Sequence, residues 1–329
     1  MTNKRLESHI KRLSAELEHR DHIEDLVIGT VSQSVKGLRA PAAPKMPRRD
    51  KRKIKQRETC VVHVSDTQIG KRTESYDFGI ARDRMHLLAK KVGSLVTNRR
   101  TSAKVERCVI LLGGDIVEGE TIFSHQPWEV AGDLWEQSVK QAPMIISRFI
   151  LAMSTLFREV HVVAVPGNHG RPAPKNSNAS PRTNFDMIAV TIARLLVLKS
   201  VKDQRITWDM DHGTFYAITP IEGHNVMLVH GDQISGGGGI GGYPLTGLAK
   251  KMSGWSSAID TPWSSLFLGH FHRPMTGVIQ GKMFFANGTT ESDNTFALEV
   301  IGESGDPCQR VVFFNKEHGP VSDSLVWLS

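Results

Sequence analysis

The chain of 329 residues is 40% hydrophobic and carries a formal net charge of +7. That length and apolar content fill a sizeable core without disulfides or structural zinc, which excludes a disordered or disulfide-stapled chain. The 3 cysteines form no CxxC pair and no run of 18 apolar residues exists, so a soluble, cytoplasmic protein with no membrane partner is expected.

The charge is unevenly placed. Residues 1–57 hold 15 Lys and Arg against 7 Asp and Glu, a net of +8, while the other 272 residues hold 26 against 27. A basic segment of this kind favours a polyanionic partner, nucleic acid first. Residues 1–39 read as a helical segment, because Leu6, Ile10, Leu13 and Leu17 recur at helical spacing. That stripe suits packing on the body, a second copy of the chain or a partner protein. Residues 40–57 (APAAPKMPRRDKRKIKQR) hold three prolines and then a basic run, and read as a linker that is either solvated or a phosphate clamp.

Residues 58–329 read as one domain. Strand-like runs at 59–65, 107–112 and 160–165 alternate with helical segments at about 78–98 and 129–157, which predicts βαβ units and a largely parallel first sheet. A helix near 184–199 follows. Strand-like runs at 205–208, 214–219, 225–230, 264–268, 274–279, 282–286, 295–301 and 310–314 then predict a second sheet with hairpins. The fold class expected is α/β, a two-sheet βαβ sandwich flanked by helices, with a basic helical arm at the N-terminus.

Five of the apolar runs end on metal-ligand residue types. VVHVS leads to Asp66 and Gln68, CVILLGG to Asp115, VVAVPG to Asn168 and His169, VMLVH ends at His230, and SLFLG leads to His270 and His272. Ligands gather at the carboxyl edge of α/β sheets, so the series implies one metal centre there. Mixed imidazole and oxygen donors suit Mn²⁺, Fe or Zn better than Ca²⁺. Asp66, Gln68, Asp115, Asn168, His230, His270 and His272 are too many for one tetrahedral ion and suit two ions sharing a carboxylate. Two ions about 3.5–4 Å apart lower the pKa of a shared water and hold the oxygens of an in-line phosphoryl displacement. His169, beyond Asn168, is the candidate general acid or transition-state donor.

The series Asp66-Thr67-Gln68, Gly114-Asp115-Ile116-Val117-Glu118-Gly119, Gly167-Asn168-His169, His230-Gly231-Asp232 and Gly269-His270-Phe271-His272 resembles the calcineurin-like metallophosphoesterase superfamily over roughly residues 58–300. The resemblance implies the metallophosphoesterase fold and two divalent metals, with manganese favoured over Mg, Fe or Zn. It places Asp66, Gln68, Asp115 and His272 on the first metal and Asp115, Asn168, His230 and His270 on the second, with His169 facing substrate. Gln68 departs from the pattern, since the family usually has histidine there. A neutral amide is a weaker donor, so weaker occupancy of the first site and a preference for Mn²⁺ or Mg²⁺ are expected.

Lys71, Arg72, Arg171 and Arg273 flank these motifs and are candidate substrate cations. Asp232 is a candidate acceptor orienting His230. The glycine run 235–242 is a candidate lid, the loop 171–184 a further substrate contact, and His125 a third, while His63 and His161 read as sheet histidines. The motif order and its loops are similar to calcineurin-like proteins of bacteriophages and prophages, whose relatives are break-repair exonucleases; a phage origin implies the bacterial host cytoplasm. The sequence has no long C-terminal extension of the kind by which those nucleases grip an ATPase partner, which puts such a partner in doubt and leaves its existence open. The function expected is therefore a two-metal phosphodiesterase acting on DNA, an exonuclease-like nuclease. The alternatives are a phosphatase or phosphodiesterase of a small phosphorylated molecule, and a weakly active metal-binding interaction module.

Overall fold

The computed structural model describes residues 56–120, 126–172, 180–202, 204–210, 213–234, 244–292 and 306–329, with position 122 and scattered positions between 29 and 54. Most of the helical segment expected over 1–39, the strand expected at 295–301, the glycine run 235–242 and His125 lie outside the described residues. The chain divides into two compact units, Met1–Arg39 and Ala40–Ser329. No helix among the described residues is long and apolar enough to cross a membrane.

Unit Ala40–Ser329 is α/β, with two mixed sheets. The first runs through β1 (Arg57–Val64), β2 (Lys104–Leu112), β3 (Glu159–Ala164) and β4 (Ile206–Asp209), all parallel. The second holds β5 (Tyr216–Ile221), β6 (His224–Val229), β7 (Ser265–Leu268), β8 (Met275–Ile279) and β9 (Lys282–Ala286) in the order β5-β6-β7-β9-β8. Strands β6, β7 and β9 are parallel, and hairpins add β5 and β8 at the edges. Two runs expected in the second sheet lie in the first instead: the run 205–208 forms β4, parallel to β3, and the run 310–314 forms β10 (Cys308–Asn315), which β11 (Gly319–Trp327), a strand the sequence did not announce, joins in a hairpin. Strand β10 lies antiparallel against β1.

Strand periodicity sorts the core into layers. Val61, Val109, Leu111, Val163, Val312 and Phe314 on one face of the first sheet meet Ala217, Val226, Leu228, Phe267 and Phe285 of the second. The alternate residues Cys60, Val62, Cys108, Ile110 and Val162 face the helices α1 (Phe78–Arg99), α2 (Ala142–Leu156) and α3 (Phe185–Ser200). Met227, Val229, Leu266 and Leu268 pack against α4 (Leu245–Ala258), a helix the strand-like texture of that region did not predict. All three cysteines are buried and free. The helix expected over 129–157 starts at Leu134 and is regularly α-helical from Ala142 to Leu156. A π-helical turn at Glu136–Gln141 lies between, in which the Ala142 N–H bonds the Gln137 carbonyl. Pro143, at the start of α2, has no N–H to give to a carbonyl four residues back.

The described part of 40–57 lies on this body. Ser200 Oγ donates to Pro41 O (2.6 Å), Arg158 Nη1 to Pro47 O (3.1 Å) and the Asp50 N–H to Glu106 Oε1 (2.9 Å).

Candidate metal centre

The parallel strands β1, β2, β3, β6 and β7 each end at one of the five motifs. The loops are pressed together. A Cβ on Gly114 would lie 2.6 Å from Gly167 N, and one on Gly167 would lie 2.1 Å from both Asp115 N and Asp115 Oδ1. No other residue fits where two backbones pass that closely.

The backbone marks the same residues. Among the described residues, seven non-glycine positions have positive φ. Glu222 and Gln280 precede glycines in two-residue hairpins, where the twist of the strands asks for it. The other five are Asp66 (53°), Gln68 (39°), Asp115 (48°), His270 (71°) and His272 (56°). Left-handed backbone costs roughly 1–3 kcal/mol at each such residue and gathers where function requires it. Here all five are candidate ligands.

Asp115, His230 and His270 present ligand atoms within 4.8 Å of one another, a set able to hold a metal ion. His230 is fully buried and its Nδ1 donates to Gly113 O (2.9 Å). Its Nε2 therefore faces Asp115 Oδ2 at 2.9 Å and Asn168 Oδ1 at 3.1 Å. Asp115 Oδ2 is buried and receives no hydrogen bond of good geometry. Burial would lower the His230 pKa, but the Asp115 carboxylate raises it to about 10. Burial would raise Asp115; the His230 and His169 imidazoles instead hold it well below the carboxylate range. His270 is pushed down to about 4 by burial and by His230 beside it.

Asp66, Gln68 and His272 form a second convergence. His272 Nδ1 lies 2.9 Å from Glu291 Oε1, and its Nε2 lies 3.4 Å from Asp66 Oδ1. One orientation of the Gln68 amide sets its oxygen against two carboxylates. The other directs the NH2 to Glu291 Oε2 (2.9 Å) and Glu118 Oε2 (3.2 Å) and turns the oxygen to His272 Nε2 (3.0 Å). The second orientation satisfies every group. Glu291 thus steers two candidate ligands at once. Its charge is matched by Lys71, whose Nζ lies 2.8 Å from Glu291 Oε2. Burial lowers the His272 pKa, yet Asp66 and Glu291 raise it to about 10. In both convergences electron-pair donors meet with only imidazole protons between them, which is the chemistry a divalent cation fits.

His169 stands beside the Asp115 carboxylate. Its N–H donates to Asp115 Oδ1 (2.8 Å), and ring Nδ1 lies 3.0 Å from Glu118 O and 3.1 Å from Gln126 Nε2. Nε2 lies 3.9 Å from Asp115 Oδ2. Burial would lower its pKa, but Asp115 and Glu118 raise it to about 9.

Several positioning residues escaped the sequence reading. Asp186, in the first turn of α3, accepts from the N–H groups of Asp115 (2.9 Å), Ile116 (2.9 Å), Val117 (3.0 Å) and Gly167 (2.8 Å). It ties the Asp115 and Asn168 loops together. After β9, Asn287 Nδ2 donates to His63 O (3.1 Å) and Ser65 Oγ (3.1 Å), while Thr289 Oγ1 donates to Asp66 O (2.8 Å) and Thr290 Oγ1 to Thr67 O (3.0 Å). The signal was present, since the run KMFFA ends on a polar cluster as the five motif strands do.

Two expectations need correction. Lys71 does not face substrate, because its buried ammonium is paired with Glu291. Asp232 does not hold the His230 ring; Gly113 O accepts from Nδ1, and Asp232 pairs with Arg171. Arg171 is thereby drawn into an ion pair, Arg72 is exposed, and Arg273 is half-buried.

The sequence matches no protein-family model and no curated protein. Solved structures similar to the chain include wild-type Vps29 of Entamoeba histolytica complexed with Zn²⁺, at 14% identity and a TM-score of 0.33 over 82% of this chain and 99% of that one. A novel archaeal phosphodiesterase aligns at 10% identity and a TM-score of 0.38 over 81% of this chain and 99% of that one. A predicted phosphoesterase of Streptococcus pneumoniae TIGR4 aligns at 11% identity and a TM-score of 0.32 over 82% and 98% of the two chains. At such distances the functional reading rests on this chain's own residues.

Proposed function

We propose that the chain is a metal-dependent phosphodiester hydrolase of the calcineurin-like metallophosphoesterase type, acting on DNA as a nuclease. The observation that carries the reading is the double convergence of donors on the Asp115 and His272 sides, built from the ends of five parallel strands. Asp115, Asn168, His230 and His270 would hold one cation; Asp66, Gln68, His272 and the shared Asp115 would hold another, with manganese the favoured metal. Cations held there supply Lewis acidity toward phosphoryl oxygens and lower the pKa of water.

The chain's own groups do the rest. Gly113 O and Glu291 fix the two imidazoles with Nε2 turned inward. The Glu118 carbonyl accepts from His169 Nδ1, leaving Nε2 beside Asp115 to donate a proton to the departing oxygen. The DNA reading is supported by the basic segment 40–57 on the same compact unit.

The test is hydrolysis of bis(p-nitrophenyl) phosphate and of labelled single- and double-stranded DNA with Mn²⁺. Wild type is expected to cleave both. Asp115→Asn and His169→Ala are expected to lower kcat by at least about 100-fold, the range of a lost acid-base group. Cleavage of the chromogenic diester with intact DNA transfers the reading to a small phosphorylated substrate. No hydrolysis of either, with cations bound, removes the enzyme.

A further inference from the structure

We propose that Trp128, with Arg72 bonded through its backbone to the next residue, Glu129, is a base-stacking subsite on the rim of the metal centre, which takes an unpaired nucleobase while the guanidinium meets the adjoining phosphate. This rests on the hydrolase reading above and names the form of its substrate: a strand whose bases are unstacked at the point of attack.

Trp128 is 87% exposed, the most exposed of the large hydrophobic side chains among the described residues. An indole is expensive to leave in water, and this one is not on a loose segment. It ends a 3₁₀ turn, Gln126–Trp128, that is anchored on both sides. Gln126 is fully buried, with Nε2 donating to Glu118 O at 2.8 Å and lying 3.1 Å from His169 Nδ1. The Glu129 N–H closes the turn on Gln126 O at 2.9 Å. Beyond it, the Arg72 N–H donates to Glu129 O (2.7 Å) and the Ala131 N–H to Gly70 O (2.7 Å), with a β-bridge between Lys71 and Val130.

The exposed ring therefore projects from a segment fixed between the residue that touches His169 and the stretch that follows Gln68. Across that bridge the two cations part company. Lys71 turns inward to Glu291, and Arg72 is exposed. A protein partner is the weaker occupant. A stable interface buries roughly 800 Å² per partner, which one ring does not approach. One ring does match one base, and stacking tolerates any base because each has a π-face.

The test compares binding of a phosphorothioate oligo(dT) with that of a phosphorothioate strand of equal length made of abasic sites, by fluorescence anisotropy with Mn²⁺. Wild type is expected to prefer oligo(dT) by about tenfold or more, in line with the loss of one base-aromatic stack. Trp128→Ala is expected to lose that preference and Trp128→Phe to keep most of it. Arg72→Gln is expected to weaken both strands alike. Trp128→Ala with undiminished preference for bases overturns the subsite, as does a wild-type dimer in sedimentation that Trp128→Ala dissociates while base preference is unchanged. Turnover of bis(p-nitrophenyl) phosphate by wild type is scored separately, so loss of the subsite and loss of the hydrolase reading are told apart.

Discussion

A proton on His230 or His272 and a divalent cation compete for the same lone pairs. In the metal-free protein both imidazoles are raised from 6.5 to about 10 against burial, by Asp115 in one case and by Asp66 and Glu291 in the other. A raised folded pKa stabilises fully below the unfolded value of 6.5, and the contribution is lost as pH rises through about 10. Asp115 and Glu291 are depressed, so their contribution is present above the ordinary carboxylate values of 3.8 and 4.5 and lost as pH falls. Calorimetry in EDTA is therefore expected to show the highest Tm between about pH 5 and 6.5 and a steady decline toward pH 10. A Tm that rises across that span would contradict the coupling. Cation binding must expel the protons, so Mn²⁺ affinity is expected to climb over the same range. Glu291→Gln tests the steering of Gln68 and His272 directly. Loss of such an outer partner weakens metal affinity by roughly 10- to 100-fold. Titration calorimetry with Mn²⁺ is expected to show that drop for one class of site, with the site at Asp115, His230 and His270 unchanged. Equal weakening of both, or of neither, removes the special role of Glu291.

At the level of elements, the start of α3 acts as a clamp. Asn184 caps the helix by accepting from the Asp186 N–H (2.8 Å), and Asp186 then receives four backbone N–H groups from two other loops. Asp186→Ala leaves buried donors without an acceptor, each worth about 1–3 kcal/mol. A loss of roughly 3 kcal/mol or more in urea unfolding is expected, together with weaker binding of metal at Asp115. A loss under about 1 kcal/mol would mean that water replaces the carboxylate. Nothing in the sequence around Asp186 announces this, because its partners are backbone groups that leave no trace in residue type. The strand ends were legible for the opposite reason: an apolar run buried on both faces followed by Asp, Asn or His is a pattern of side chains. The helix α4, with Gly247 and Gly254 and two lysines, carried too weak a stripe to read. Strand β11 (GPVSDSLVW) is half-exposed along most of its length, and its apolar residues gather only at its end, Leu325 to Trp327. The return of β10 to the side of β1 was illegible as well, since neighbours in sequence usually neighbour in space and this strand crosses from the second sheet to the first.

Across the whole molecule, the placement of charge decides how a polyanion would be held. Residues 1–39 carry 7 Lys and Arg against 6 Asp and Glu, whereas 40–57 carry 8 against 1. The basic character thus belongs to the segment that joins the unit Ala40–Ser329 and bonds to its body through Pro41, Pro47 and Asp50. Lys45, Arg48 and Lys51 are exposed on it. Each phosphate contact contributes about 0.9 to the slope of log K against log salt on duplex DNA and about 0.7 on single strands. Neutralising Lys45, Arg48 and Lys51 to Gln in the full chain is expected to flatten that slope by up to about 2.7 on duplex DNA and about 2 on single strands. Replacing Lys4, Arg5, Lys11 and Arg12 by Gln removes more charge, yet is expected to leave the slope nearly unchanged. Those cations share their segment with almost as many carboxylates, so few counterions are released when it meets DNA. The reverse result, a slope governed by the first 39 residues, would mean that DNA is held by that unit and that the basic run at 40–57 serves only to pack against the body.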